Sequence, residues 1–501
     1  MNIADHVRRA AARTPRHAAI RFEGVTLTYR ALDYCAAALA GALHAHGVRR
    51  GDRIALYLPN IPAFALAYLA GERAGAIVVS INSIFKREEV RYIVNDSRPR
   101  VLFTTQDLLP NLPRPECPSI EHTVLCEGRA PDAIALEDWL ERGGPDFPTA
   151  DMAPDEPAVL LYSSGTTGFP KGVTLTHRNL VTNTRTAAKF SGYRARDKLA
   201  CFLPLFHVFG QNYIMNAAFQ AGATVVLFRR FVPEIVLDAI GRERVTMLFG
   251  VPTIYIALLN SDLARYDLAS IRYEFSAAAT MPQEVARRWT ERFGRPIYEG
   301  YGLTECAPSA AYNHLREHRF GSVGTAVDGF TLAIHDEEDR EVPRGEWGEV
   351  VIRGPGVMLG YWGKPEDTAR ALANGWLHSG DIGKMDRDGY LYIVDRVKDM
   401  INVSGFKVWP AEVEHVLYRH PAVKEVAVYG APDPIKGEQV RAAVVLKEGA
   451  LATPAALAQF CRDHLAVYKM PERVDLVNVL PKSATGKILK RVLRDAAANR
   501  A

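Results

Sequence analysis

The chain has 501 residues, 48% hydrophobic and 24% charged, with a formal net charge of +4. That length calls for two or more domains. The composition argues against a disordered or fibrous chain, and the small net charge against a nucleic-acid binder, a basic C-terminal tail aside.

The first twenty-two residues carry arginines, alanines and Asp5 but no apolar core of a secretory signal. They read as an amphipathic helix with Ile3, Val7 and Ala11 on one face. "IPAFALAYLAGERAGAIVVSI" is the most apolar stretch, but Glu72 and Arg73 interrupt it, so no transmembrane segment is expected. Strand-like "RIALYLP", helical "AFALAYLAGERAG" and strand-like "AIVVSIN" follow one another, and "ATVVLFRR", "PEIVLDAIGRER" and "VTMLFGVP" repeat the alternation further on. Buried strands joined by helices predict parallel sheets covered on both faces.

After about residue 325 the runs "LAIHDEED", "GEVVIRGPG" and "GYLYIVDR" read as antiparallel strands with Asp/Gly turns, a small β-barrel-like part. Beyond Asp395 a compact α+β unit is expected, ending in a basic helix. The fold class is therefore α/β, with a large N-terminal domain (1–395) and a small mobile C-terminal domain (396–501). No Gly/Ser linker marks the boundary, so the connection is expected to be a tight hinge. Cys35, Cys117, Cys126, Cys201, Cys306 and Cys461 form no C-x-x-C or Cys/His cluster. This argues against structural zinc or a disulfide framework and points to a reducing, cytoplasmic setting.

"PAVLLYSSGTTGFPKG" is a buried-type strand running into a loop of Gly, Ser and Thr. Such loops suit phosphate: glycines let backbone N–H groups approach, hydroxyls add donors, and Lys171 adds charge. A Walker A loop would end G-K-[ST]; here Pro170 precedes the lysine and Gly172 follows it. By itself the loop is equally a plain Gly/Ser turn.

"PLFHVFG", "YEGYGLTE", "HSGDIG", "DRVKDMINVSGFKVWPAEVE" and "PKSATGKILKR" follow in that order. Together with the loop they resemble the core motifs of the adenylate-forming superfamily, over essentially the whole chain. "YGLTECAP", "GVMLGYW", "GWLHSGDI" and the long "DRVKD" segment look most like bacterial long-chain fatty acyl-CoA synthetases.

The resemblance implies ATP-dependent activation of a carboxylic acid to an acyl adenylate, with pyrophosphate released. Transfer to the thiol of CoA then yields a thioester and AMP. A carrier-protein acceptor and an aryl or medium-chain acid are the alternatives. A luciferase-like oxygenase or a dead binding module shares the motifs, and intact Lys487, Glu305 and Asp381 speak against the second. Peripheral membrane contact and a homodimer are left open.

By resemblance, Lys487 bridges carboxylate and α-phosphate, and Ser163, Ser164, Gly165, Thr166, Thr167, Gly168 and Lys171 grip the remaining phosphates. Thr166 and Glu305 carry Mg²⁺. Asp381 accepts from both ribose hydroxyls, reinforced by Arg396; Tyr301 with Glu299, Gly300, Gly302 and Thr304 holds the adenylate against the wall at Ala277. His207 gates the carboxylate instead of acting as a base, since a carboxylic acid is already ionised at pH 7. Phe209, Tyr213, Gly250 and Gly300 form the acyl pocket, with the two glycines leaving room for a chain. Val251, Phe275 and Tyr298 border it. Lys398 is the pivot that exchanges Lys487 for Ser404, Gly405 and Lys407, which line the approach of CoA.

Overall fold

A computed structural model describes residues 1–163, 170–396 and 399–498. The candidate residues Ser164, Gly165, Thr166, Thr167, Gly168 and Lys398 lie outside the described residues.

Among the described residues, two large sheets form the first unit, one of nine strands and one of eight. Both are parallel through their centres. In one, Arg53–Leu56 pairs with Ile77–Ser80 and with Val101–Thr104; in the other, Met247–Gly250 pairs with Tyr273–Ser276, which pairs with Tyr298–Gly302. The strands Ile77–Ser80, Val101–Thr104 and Met247–Gly250 are buried at every residue, as expected for sheets covered on both faces. The covering helices take their bounds from the local sequence. Pro62–Ala74 starts on proline, whose missing N–H costs nothing in the first turn, and stops at Gly75, which adopts φ 77°. Glu72 and Arg73 lie within this helix and are buried, and no helix among the described residues is long and apolar enough to cross a membrane.

A four-stranded antiparallel sheet, built from Thr331–His335, Gly348–Arg353, Leu377–Met385 and Leu391–Arg396, stands where the β-barrel-like part was expected. Past residue 399 the chain packs cores of its own on both faces of a five-stranded sheet. Ile401, Val413, Leu417, Val428 and Leu457 lie on one side; Ala427, Tyr429, Val445, Leu480 and Ala497 lie on the other.

Candidate active site

The cleft lies at the carboxyl ends of parallel strands, where open α/β sheets leave a crevice. Tyr298–Gly302 delivers Tyr301, and the following turn brings in Thr304 and Glu305. The four-stranded sheet supplies the opposing side. Asp381 and Arg396 face each other in register on Leu377–Met385 and Leu391–Arg396. Arg396 Nε stands 3.1 Å from Asp381 Oδ1, and the Tyr301 hydroxyl donates to Asp381 Oδ2 at 2.8 Å. Tyr301 and Arg396, from two sheets, thus share the one buried carboxylate of Asp381. Gly302 admits no side chain: a Cβ there would lie 1.7 Å from the Pro308 carbonyl oxygen.

Lys487 reaches this cleft from the small unit. It sits in a turn where its amide donates to Ser483 Oγ at 3.2 Å and its carbonyl accepts the Ser483 amide at 2.8 Å. Gly486, at φ 85°, makes the turn, and its carbonyl accepts the Thr253 hydroxyl of the large unit at 2.9 Å. Burial, then the Arg396 guanidinium, pulls the Lys487 ammonium down to about 8, against the opposing pull of Asp381, Asp399 and Asp395. Its field in turn reaches His207. Burial first and Lys487 second push that imidazole down to about 4, so it is neutral at pH 7. Its Nδ1 accepts the Phe209 amide at 3.3 Å, which leaves the proton on Nε2.

On another side of the cleft, Ser163 and Lys171 pair across the strands Pro157–Ser163 and Lys171–Thr176. Lys171 Nζ lies 2.9 Å from Asp367 and 5.2 Å from the Tyr361 ring centre. The Tyr361 hydroxyl donates to Glu305 Oε1 at 3.0 Å, and burial raises the Glu305 carboxyl above its usual range. Glu299 is buried and pushed up to about 8 by desolvation, with the Met281 amide pulling the other way. Ala277 lies beyond the end of the strand Tyr273–Ser276, its amide donating to the Gly250 carbonyl at 3.4 Å.

The region expected to take the acyl group is closely packed. Where a Cβ would project, Gly250 and Gly300 meet packed neighbours: a Cβ on Gly300 would lie 2.5 Å from Phe275 Cζ, and one on Gly250 would lie 3.1 Å from Ile254. Aromatic rings occupy that volume. Tyr213 stacks on Phe275 with centres 4.9 Å apart, Phe275 stacks on Tyr312 at 5.8 Å, and Phe209 meets Phe275 edge-on at 6.0 Å. Behind them the Tyr213 hydroxyl bonds Ser191 at 2.9 Å, and the Tyr273 and Tyr312 hydroxyls meet at 2.6 Å.

Ser404, Gly405 and Lys407 are not gathered with Lys487. Ser404 and Gly405 are the exposed tip of the hairpin Ile401–Val403/Phe406–Val408, and Lys407 lies 3.3 Å from Glu337. Residues missed in the sequence are Thr253, Tyr361, Asp367, Phe249 and Tyr312. Of these only Tyr361 carried a signal, in "GVMLGYW".

Comparison with known proteins agrees over the whole chain. The model of AMP-binding enzymes matches residues 7–362, and that of the AMP-binding enzyme C-terminal domain matches residues 412–487. A long-chain-fatty-acid–CoA ligase of Bacillus subtilis (strain 168) is 37% identical, covering 97% of this chain and 92% of that protein. A feruloyl-CoA synthase of an Amycolatopsis species is 38% identical over 97% of both chains. Among solved structures, an anthranilate CoA ligase in complex with anthranoyl-AMP superposes with a TM-score of 0.95 at 32% identity, covering 100% of this chain and 98% of that one. The chain belongs to the AMP-binding enzyme family.

Proposed function

We propose that the protein is an AMP-forming acid–CoA ligase working in two half-reactions. The acid's carboxylate oxygen attacks the α-phosphorus of ATP and the bond to the β-phosphate breaks, releasing pyrophosphate. The CoA sulfur then attacks the acyl carbonyl carbon, the bond to AMP breaks, and AMP leaves. The observation that supports this reading is the delivery of Lys487 into a cleft already holding Asp381, Arg396, Tyr301 and His207.

Each residue has a task set by its chemistry. The Lys487 ammonium neutralises charge where carboxylate and α-phosphate approach, a task for a positioned cation. Asp381, aligned by Tyr301 and Arg396, accepts from the ribose hydroxyls. Neutral His207 offers Nε2–H to the acid's carboxylate. Ser163 and Lys171 take the outer phosphates, Lys171 exchanging Asp367 for them. Tyr301, with Glu299, Gly300, Gly302, Thr304 and Ala277, encloses the adenylate. Ser404, Gly405 and Lys407 meet CoA only after the small unit turns.

The donor set fits Mg²⁺. A single carboxylate in a desolvated setting, Glu305 with Tyr361 on one oxygen, suits an ion bound mostly through phosphates and water. Glu305 would hold it, and when bound it supplies charge neutralisation to the phosphates.

A second reading concerns the acid. The packed rings of Phe209, Tyr213, Phe275 and Tyr312 favour a flat, compact aryl acid over a long alkyl chain. The test is a panel of alkyl and aryl acids scored for ATP-dependent pyrophosphate release. It is repeated with CoA and with a phosphopantetheinylated carrier protein. No release with any acid would sink the ligase reading; thioester on the carrier alone would replace CoA as acceptor.

A further inference from the structure

Asp395 is the penultimate residue of the last strand of the large unit, Leu391–Arg396, and three elements converge on its carboxylate. Oδ1 accepts the Arg396 amide at 2.9 Å. Oδ2 accepts the Ala411 amide at 3.3 Å, in the first turn of the small unit's helix Pro410–Tyr418, and Lys490 Nζ at 3.2 Å. Lys490 opens the final helix Lys490–Ala498 and stands 3.0 Å from Glu414 Oε1, which also accepts the Val428 amide at 2.8 Å. The three side chains are only 16%, 10% and 17% exposed, in the order Lys490, Asp395, Glu414. Burial alone would lower the Lys490 ammonium, but Glu414 and Asp395 hold it above the ordinary lysine value.

None of these groups touches the reacting atoms, yet Lys490 follows Lys487 by three residues with little slack between them. Ile488 bridges to Lys482, and the Leu489 amide donates to the Pro481 carbonyl at 2.8 Å. Fixing Lys490 therefore fixes the turn that carries Lys487. The two carboxylates lie on different units. Glu414 travels with Lys490, whereas Asp395 belongs to the large unit. If the small unit swings away, Lys490 keeps Glu414 as its counterion, so releasing Asp395 leaves no bare buried cation.

We propose that Lys490 is a positioning residue: its pairing with Asp395 holds the small unit in the arrangement that presents Lys487 to the nucleotide cleft, and the pair parts for thioester formation. The inference rests on the two-step reaction proposed above.

The test uses the full-length enzyme and an acid that it activates. Lys490→Met and Asp395→Asn are assayed for ATP–pyrophosphate exchange, and separately for single-turnover conversion of supplied acyl adenylate with CoA. Asp395→Asn keeps the side-chain carbonyl that can serve the Ala411 amide, so it guards against a variant that merely misfolds. Exchange kcat is expected to fall about tenfold or more in both variants. The KM for ATP should stay within about twofold, with thioester formation unchanged and Lys490→Arg restoring exchange. Unchanged exchange, or equal loss in both half-reactions, overturns the proposal. A wild-type enzyme that exchanges pyrophosphate with no acid fails the ligase reading itself, before any variant is compared.

Discussion

The Tyr301 hydroxyl donates to Asp381 Oδ2 at 2.8 Å, joining the nine-stranded sheet to the four-stranded one through a carboxylate that Arg396 holds from the other side. A carboxylate fixed at both oxygens is aimed before any nucleotide arrives. Asp381→Asn removes the countercharge of Arg396 beside Lys487. The kcat/KM for ATP should fall about a hundredfold, as expected when one partner of a desolvated pair is lost. Tyr301→Phe keeps the ring and should cost only a few-fold. Pyrophosphate exchange at varied ATP reads both; equal losses would mean that the hydroxyl, not the charge, does the aiming.

Lys487→Ala should lower pyrophosphate exchange by at least about a hundredfold while supplied acyl adenylate is still converted to thioester. Gly486→Ala should behave alike without touching the charge. Its φ of 85° is strained for alanine, and the new methyl would lie 3.0 Å from the Thr253 hydroxyl and 3.2 Å from Val251. Retention of full exchange by Gly486→Ala would show that the turn tolerates another shape.

Burial, then Arg396, lowers the Lys487 ammonium to about 8. Its charged form is lost as pH rises through 8, so kcat/KM for ATP should decline above that point. Stability moves the other way. Between about 8 and the ordinary lysine range the unfolded chain holds a proton that the folded one has released, so Lys487 makes stability rise with pH in that window. His207, lowered to about 4, has the same sign lower down: stability contributed by its neutral form is lost as pH falls from 6.5 toward 4. A pH–rate profile of Lys487→Arg, whose cation does not titrate there, should lose the alkaline decline.

Phe275 packs between Tyr213 and Tyr312 and against Gly300. Phe275→Ala should cost about 3–5 kcal/mol of stability and admit longer alkyl acids, read as a rise in their kcat/KM relative to benzoate-type acids. Gly300→Ala should overpack the same wall, at about 1–3 kcal/mol, and depress both classes. Unaltered acid preference in Phe275→Ala would place the acyl group elsewhere.

The alternation of buried strands with helices made the parallel sheets legible, and motif order made Lys487, Asp381 and Tyr301 legible as one site. Packing was not legible. Gly300 and Gly250 look like vacancies in a string of letters, but a missing side chain is equally what allows Phe275 and Ile254 to approach. Phe249 and Tyr312 join the aromatic block from strands with no motif of their own. Asp367 and Thr253 were invisible because their partners, Lys171 and Gly486, lie far away in sequence. Buried Glu72 beside His177, 3.7 Å apart, has no counterpart in any motif either.

The two edges of the small unit are fastened by unlike means. Near Lys487 the fastening is a half-buried hydroxyl and desolvated charges, but at Lys407 it is one pair with Glu337, their side chains 59% and 88% accessible to water. Dissolved ions weaken such a surface contact and leave the sheltered ones nearly intact. Of the two, the contact at the hairpin bearing Ser404 and Gly405 is the more sensitive to salt. Added salt is thus expected to loosen the segment proposed above to meet CoA sooner than the turn that carries Lys487.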